Sequence, residues 1–307
     1  MTATAAEELA TTDLTTTDEV VSLSGHKFHV RVAGRSTSTP IVALHGFPDS
    51  AELWRHQMGP LAAAGFRVIA PDLRGFGDSW KPQDPDSYKP MKLLADVTGI
   101  MQHFGVRRAH VVGHDFGAFV AWTLAAFMPR RVDRLVTMSV GHPALWASPS
   151  LEQRRRFWYS LLYIHPQAEQ VLKYRNWELL RGLLGGEQDS DRYLRDLRRP
   201  GALTAGLNWY RANCQPAYDL GGNRVVPPVT VPTLAVWGSG DQALVEEGVT
   251  DSERYVTGEW KYVRVEGAGH FIPVDAPDTV TQLLLDWFGS PAVASTPPKP
   301  QRWTVRR

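Results

Sequence analysis

The chain has 307 residues and a formal net charge of +1, with 33 basic and 32 acidic side chains. Hydrophobic residues make up 43% of it, enough to fill a sizeable core, and the near-neutral charge gives no reason to expect nucleic acid or an anionic membrane as a partner. The single cysteine, Cys214, excludes an intrachain disulfide framework, and no Cys/His spacing indicates a metal site.

The two ends of the chain have the composition of tails. Residues 1–17 are rich in Thr, and residues 290–307 are rich in Pro and Arg, so both favour disorder or loose docking. The N-terminal stretch has no basic region followed by an apolar run, and no run of about 18 apolar residues occurs elsewhere. We therefore expect no signal peptide, no membrane span and a reducing, cytoplasmic location.

Between these ends, short β-rich segments alternate with helical patterns. An opening hairpin, VVSLSG and KFHVRVAG, is followed by largely apolar runs at 41–46, 67–72, 109–115, 134–141, 233–238 and 261–267. Such runs are typical of parallel strands buried on both faces. Helical patterns, for example at 91–105 and 118–129, separate them. The alternation predicts an α/β fold with a mostly parallel central sheet and helices on both faces.

The alternation is interrupted in the second half of the chain. Residues 145–223 are rich in Arg, Trp, Tyr and Leu at helical spacing and contain no clear strand. We expect a helical cap here, inserted into a core made of residues 18–144 and 224–289. It should lie over the carboxyl ends of the strands, where ligands of open α/β sheets bind. Its basic run, Arg154-Arg155-Arg156, is interpreted as a solvated helix face.

One strand–helix junction has the pattern of a nucleophile elbow, with Asp115 at its centre. Gly113-His114-Asp115-Phe116-Gly117 follows a predicted strand and precedes a predicted helix, and its glycines permit a sharp turn. His45-Gly46-Phe47-Pro48 ends an earlier strand. The backbone N–H groups of Phe47 and Phe116 are therefore expected to form an oxyanion hole.

Two later residues complete a candidate triad. Asp241 and His270 each follow a late strand, which gives the chain order nucleophile, acid, histidine of the α/β-hydrolases. The alternative acid position, after the strand at 134–141, holds His142-Pro143 and no carboxylate. An aspartate nucleophile suits attack on saturated carbon, because it leaves an ester that water can cleave, whereas serine would leave an ether. His270 would activate that water while Asp241 holds its tautomer.

From about Val20 to Phe288 the sequence resembles the epoxide hydrolases of the α/β-hydrolase fold. The resemblance rests on the two motifs above, on GFGDS at 75–79, and on the cap segments FWYS at 157–160 and NWYRAN at 208–213. It implies a hydrolase acting on ether bonds, which converts an epoxide and water to a vicinal diol without metal or organic cofactor.

The resemblance also implies roles for cap residues. Tyr159 and Tyr210 would polarise the epoxide oxygen, since a protonated phenol can supply the hydrogen bond or proton that an alkoxide needs. Tyr163 lies four residues after Tyr159, on the same helix face, and is an alternative for the first tyrosine. The residues expected to contact a small apolar substrate are His45, Pro48 and Trp209.

Two alternatives to the epoxide hydrolase stay open. A haloalkane or haloacetate dehalogenase would share the Asp–His–Asp triad, but such relatives commonly place Trp or Arg directly after the nucleophile, where this chain has Phe116. A non-catalytic, ligand-sensing protein is less favoured, because the triad and oxyanion motif are intact. The sequence does not specify the natural substrate, the regio- and enantioselectivity or the oligomeric state, and a homodimer is compatible with it.

Overall fold

The computed structural model describes residues 15–184, 189–214 and 226–289. Its strands are β1 Thr17–Leu23, β2 His26–Ala33, β3 Thr39–Leu44, β4 Phe66–Pro71, β5 Ala109–His114, β6 Val132–Met138, β7 Thr233–Gly238 and β8 Trp260–Val265. They form one sheet in the order β1-β2-β4-β3-β5-β6-β7-β8. The strand β2 pairs antiparallel with β1 and with β4, and the other neighbouring pairs are parallel.

The α-helices connect the strands and cover the sheet. They are α1 Arg55–Ala63, α2 Pro90–His103, α3 Phe116–Phe127, α4 Leu151–Arg156, α5 Tyr159–Ile164, α6 Ala168–Leu183, α7 Ser190–Leu197, α8 Ala202–Asn213, α9 Glu246–Thr250, α10 Ile272–Asp275 and α11 Pro277–Gly289. Short 3₁₀ turns occur at Ala51–Trp54, Pro85–Tyr88, Pro129–Arg131, Pro143–Ala147 and Asp251–Tyr255. Every residue of β5 and β7 is buried, as expected for strands covered on both faces.

The predicted fold class is confirmed, and the predicted strands and helices lie within a few residues of the observed ones. The predicted boundary between the N-terminal tail and the core needs a correction, because the predicted tail includes Thr17. Thr17 instead begins β1, where it lies opposite Val32 and donates its hydroxyl to the carbonyl of Val32 at 3.4 Å. Residues 1–14 and 290–307, predicted to be tails, lie outside the described residues.

Among the described residues between β6 and β7 lie the α-helices α4 to α8, and we call them the cap helices. Residues 185–188 and 215–225 of the predicted cap lie outside the described residues, and the division into cap and core stays a prediction. The helix α6 contains non-helical dihedral angles at 174–177. In the described ranges, no helix is long and apolar enough to cross a membrane.

A buried ion pair joins the cap helix α7 to the loop after β3. Arg192 donates from Nη1 to Asp49 Oδ1 at 2.7 Å and from Nη2 to Asp49 Oδ2 at 3.0 Å. Asp189 accepts a further hydrogen bond from Arg192 at 2.9 Å. The side chain of Asp49 is completely buried. The two-pronged geometry fixes both position and orientation, so this pair ties α7 to the segment that contains Phe47.

We expect Arg192→Met to lower the free energy of unfolding by about 3–5 kcal/mol, because it leaves the Asp49 carboxylate buried without its cation. Urea unfolding monitored by circular dichroism measures the change. Arg181→Gln is the matched control, since it removes the exposed pair of Arg181 with Asp191 and should cost less than about 1 kcal/mol. Equal losses in the two variants would contradict a stabilising role for the buried pair.

Candidate active site

Asp115 lies in a strained turn between β5 and α3. Its dihedral angles, φ 52° and ψ −124°, are rare for a residue with a side chain. Close backbone packing supports the turn: a Cβ atom on Gly117 would lie 2.2 Å from the carbonyl oxygen of Leu44. The second glycine of the elbow motif is therefore required for this approach.

The Asp115 carboxylate already occupies the predicted oxyanion hole. The backbone N–H of Phe47 donates to Asp115 Oδ1 at 2.8 Å, and the N–H of Phe116 also hydrogen-bonds to this carboxylate. Gly46 allows the contact, since a Cβ atom there would lie 2.2 Å from Oδ1. Both N–H groups thus point at the same side chain, and Oδ2 is left to face His270.

His270 lies between two carboxylates. Its Nδ1 is 2.9 Å from Asp241 Oδ2, and its Nε2 is 3.6 Å from Asp115 Oδ2. Asp241 is oriented by its own loop, because its Oδ1 accepts the backbone N–H groups of Ala243 at 2.8 Å and Leu244 at 2.9 Å. The three predicted triad residues therefore come together at the carboxyl ends of β5, β7 and β8.

The backbone of His270 is held by two residues that sequence reasoning did not assign to the site. His114 Nε2 lies 2.8 Å from the carbonyl oxygen of His270, and Ser139 Oγ donates to the same oxygen at 3.0 Å. Burial lowers the pKa of His114 to about 4, so its ring is neutral and serves as a donor. His114 thus acts as the supporting residue that its place beside the nucleophile suggests, whereas Ser139 gives no motif by which sequence could identify it.

The charges in the triad are strongly coupled. Burial opposes ionisation of His270, but the negative charges of Asp241 and Asp115 outweigh it and raise the pKa of His270 well above 6.5. Burial likewise opposes ionisation of Asp115, yet His270 lowers the pKa of this carboxyl below 3.8. The two carboxylates thus favour the protonated form of His270, and His270 favours the ionised form of Asp115.

Three tyrosines from two cap helices form a cluster near this carboxylate. The ring centroid of Tyr210 lies 6.3 Å from the ring centroid of Tyr159 and 4.9 Å from that of Tyr163. Burial raises the pKa of all three hydroxyls, and the negative charge of Asp115 adds to the increase for Tyr159 and Tyr210 but not for Tyr163. The charge of Asp115 thus acts on the phenols of Tyr159 and Tyr210.

Two cavities meet at Asp115, Trp158 and Tyr210. The first, of about 320 Å³, is lined mainly by apolar side chains: Phe116, Phe119, Val140, Trp146, Phe157 and Leu161. The second, of about 410 Å³, contains the polar groups of Tyr159, His270 and Arg156 as well as Pro48. Both have the size of small-molecule sites. Asp115 is thus reached from an apolar side and from a more polar side.

Two residues predicted to contact substrate line neither cavity. His45 is fully buried, where its Nε2 accepts the backbone N–H of Leu73 at 2.9 Å. Trp209 is also fully buried and donates its indole N–H to the carbonyl of Arg74 at 3.0 Å. Both side chains are used to hold neighbouring loops. Of the three predicted contacts, Pro48 alone lines one of these two cavities.

The interpretation of the basic run as a solvated helix face is wrong for its last member. Arg155 is exposed, but the guanidinium of Arg156 donates to the backbone carbonyl of Asp241 at 2.8 Å. A local charge pattern could not reveal this contact, because the two residues are 85 positions apart in the chain.

Fold and site together define an α/β-hydrolase. The family model of the alpha/beta hydrolase fold matches residues 39–277, and the chain belongs to this family. The superfamily protein YfhM of Bacillus subtilis is 33% identical over 290 residues, which cover 88% of this chain and 97% of that protein.

Named epoxide hydrolases are among the similar proteins. Epoxide hydrolase A of Mycobacterium tuberculosis is 29% identical, with 89% of this chain and 97% of that protein covered. The crystal structure of epoxide hydrolase A from Mycobacterium thermoresistibile superimposes with a TM-score of 0.76 at 27% identity, covering 90% of this chain and 98% of that one. The resemblance to epoxide hydrolases predicted from the motifs is confirmed.

Proposed function

We propose that the chain is an epoxide hydrolase, which converts a small apolar epoxide and water to a vicinal diol through an ester on Asp115. The observation that carries this proposal is the combination of an ionised carboxylate with two protonated phenols, Tyr159 and Tyr210, around one pair of cavities. A carboxylate can attack saturated carbon, and phenols can stabilise the oxygen that leaves. The names of the similar proteins agree with this chemistry.

In the first step, Asp115 Oδ2 attacks a ring carbon of the epoxide and the carbon–oxygen bond breaks. No base is needed, because His270 and the backbone N–H groups of Phe47 and Phe116 all favour the ionised form of Asp115. The ring oxygen becomes an alkoxide, which accepts hydrogen bonds from Tyr159 and Tyr210 and takes a proton from one of them. That tyrosine recovers its proton from His270, whose pKa falls when the charge of Asp115 is lost. The product of this step is a neutral glycol ester of Asp115.

In the second step, water attacks the carbonyl carbon of the ester. Carbonyl Oδ1 lies at the Phe47 N–H and so becomes the oxyanion in a site already provided with donors. His270 takes a proton from the water, and Asp241 holds the ring in place and stabilises the imidazolium. The tetrahedral intermediate then collapses, the bond between its carbon and Oδ2 breaks, and Oδ2 leaves with the glycol and takes up a proton to complete the diol. The carboxylate of Asp115 is restored with one oxygen from water.

The test of the reaction is a single turnover in H₂¹⁸O with enzyme in excess over an aryl epoxide. The diol should carry unlabelled oxygen from Asp115, and the label should be found by mass spectrometry on the peptide that contains Asp115. A parallel assay offers a chloroalkane and fluoroacetate and measures released halide. Label in the first-turnover diol would contradict the ester mechanism, and halide release without diol from any epoxide would favour a dehalogenase.

Ester formation should itself change the protonation of His270. The ester removes the negative charge of Asp115, which is one cause of the raised pKa of His270, so that this pKa falls and the proton is released. We expect the rate of ester hydrolysis to rise with pH through the lowered pKa of His270 and then to level off. The rate of ester formation should show no such rise, since Asp115 is ionised throughout. Rapid-quench measurements of both steps from pH 5 to 9 provide the check, and parallel profiles would argue against His270 as the base.

A further inference from the structure

A buried glutamine of the first cap helix binds the loop that carries Asp241. Gln153 on α4 donates from Nε2 to the carbonyl of Ala243 at 3.0 Å, and its Oε1 accepts the N–H of Val245 at 3.0 Å. Gln153 is only 6% exposed. The backbone N–H of Gln153 is in turn bound by Ser150 Oγ at 3.1 Å, at the start of α4. The donor and the acceptor of the amide thus both bind the backbone of residues 243–245.

Arg156, one helical turn further along, binds the same loop. Its Nη1 donates to the carbonyl of Asp241 at 2.8 Å and to the carbonyl of Leu244 at 3.3 Å. Glu152 fixes the guanidinium from the other side, accepting from Nε at 3.0 Å. A planar guanidinium held at several points is a stiff support. Together, Gln153 and Arg156 occupy four backbone groups of residues 241–245, and we call this arrangement the cap–acid clasp.

The clasp acts on the same backbone that orients the triad acid. Asp241 Oδ1 accepts the N–H groups of Ala243 and Leu244, so the direction of its other oxygen, Oδ2, depends on the path of the loop. Oδ2 is the atom that lies 2.9 Å from His270 Nδ1. A small shift of the loop would therefore misalign the histidine that must deprotonate water.

The clasp also lies next to the donor to the epoxide oxygen. Tyr159 follows Arg156 by three residues, and both line the more polar cavity, while Gln153 lines the apolar one. We propose that Gln153 and Arg156 are positioning residues for the second step. They fix the loop that carries Asp241, and through it His270, relative to the cap segment that carries Tyr159. The assignment to a step rests on the proposed function, but the contacts of the clasp do not.

The kinetic test compares Gln153→Glu and Arg156→Gln with the matched control Arg155→Gln. The glutamate keeps an acceptor for Val245 and loses the donor to Ala243. Arg155 is 69% exposed and pairs with Glu152 at 3.8 Å rather than with the backbone of residues 241–245. We expect ester hydrolysis to slow by roughly 10- to 100-fold in the two clasp variants, because misplacement of a catalytic group has costs of this order. Ester formation should change by less than about threefold, so that the ester accumulates during turnover.

Arg156→Lys supplies the conservative comparison. A lysine keeps the charge and a donor to one carbonyl but loses the planar fork, so it should restore part of the hydrolysis rate that Arg156→Gln loses. The pH profile adds a readout that a merely structural defect would not move. In Arg156→Lys, which changes no charge, the limb for ester hydrolysis should shift toward lower pH, since a displaced Asp241 supports less of the raised pKa of His270. Equal slowing of both chemical steps would overturn the proposal.

A measurement without substrate separates this inference from the proposed reaction. The Nδ1 proton of His270 should give a downfield proton NMR signal, identified by its loss in His270→Ala. It should weaken or move upfield in Gln153→Glu and Arg156→Gln and stay unchanged in Arg155→Gln. If the wild type hydrolyses no epoxide but the signal responds in this way, the reaction is wrong and the clasp is right. If epoxides are hydrolysed and the signal and ester hydrolysis are unchanged in both variants, the clasp has no positioning role.

Discussion

His270→Ala is expected to stop turnover and to leave a stable ester on Asp115. In the proposed mechanism the first step does not use His270 as a base, and the backbone N–H groups of Phe47 and Phe116 still favour the ionised form of Asp115 when His270 is absent. The second step loses the group that deprotonates water, so kcat should fall by about 10⁴-fold or more. Intact mass spectrometry of the variant after mixing with an aryl epoxide should show an increase equal to the mass of one epoxide molecule.

Two controls make this result specific. Asp115→Asn/His270→Ala should form no adduct, because the neutral amide is a poor nucleophile. His56→Ala, at an exposed histidine on α1, should turn over like the wild type and accumulate no ester. An adduct on a peptide other than the one that contains Asp115 would refute the assignment of the nucleophile. So would the absence of any adduct with an epoxide that the wild type hydrolyses.

The parts of the site that local sequence determines could be predicted. Gly-x-Asp-x-Gly after an apolar run predicts the turn at Asp115, since only glycine permits the approach of Gly117 to Leu44. Because carboxyl ends of parallel strands share one edge of a sheet, the positions of Asp241 and His270 just after two late strands predict that they meet there.

The parts that depend on how the cap lies on the core could not be predicted. The spacing of Tyr159 and Tyr163 places both on one helix face, and only the position of α5 relative to Asp115 distinguishes them. The prediction that Arg156 lies on a solvated helix face is wrong for the same reason, since its partner is a backbone carbonyl on a distant loop. His45 and Trp209 belong to sequence motifs near the site, yet their polar atoms bind backbone groups of the chain itself.

Replacing the cap tyrosines by phenylalanine should slow the first step and spare the second. In the proposed mechanism, the alkoxide that forms on ring opening needs a proton donor, whereas the ester that follows is hydrolysed with the help of His270. General acid catalysis contributes about 10²- to 10⁴-fold. We therefore expect Tyr159→Phe/Tyr210→Phe to lower the rate of ester formation by about 10³- to 10⁴-fold, and each single variant by about 10- to 100-fold, because the remaining phenol still binds the oxygen.

Tyr163→Phe is the matched control for this experiment, and it also decides which tyrosine of α5 is the donor. Tyr163 packs against Tyr210 and Phe47, and its pKa is raised by burial without a contribution from Asp115. Loss of its hydroxyl should therefore change ester formation by less than about threefold, as for a packing residue that keeps its ring. Single-turnover rapid quench gives the rates of both steps for all four variants. A slow first step in Tyr163→Phe together with a normal one in Tyr159→Phe would exchange the two assignments. Slow ester hydrolysis in either variant would mean that the phenol supports the water-activating histidine instead.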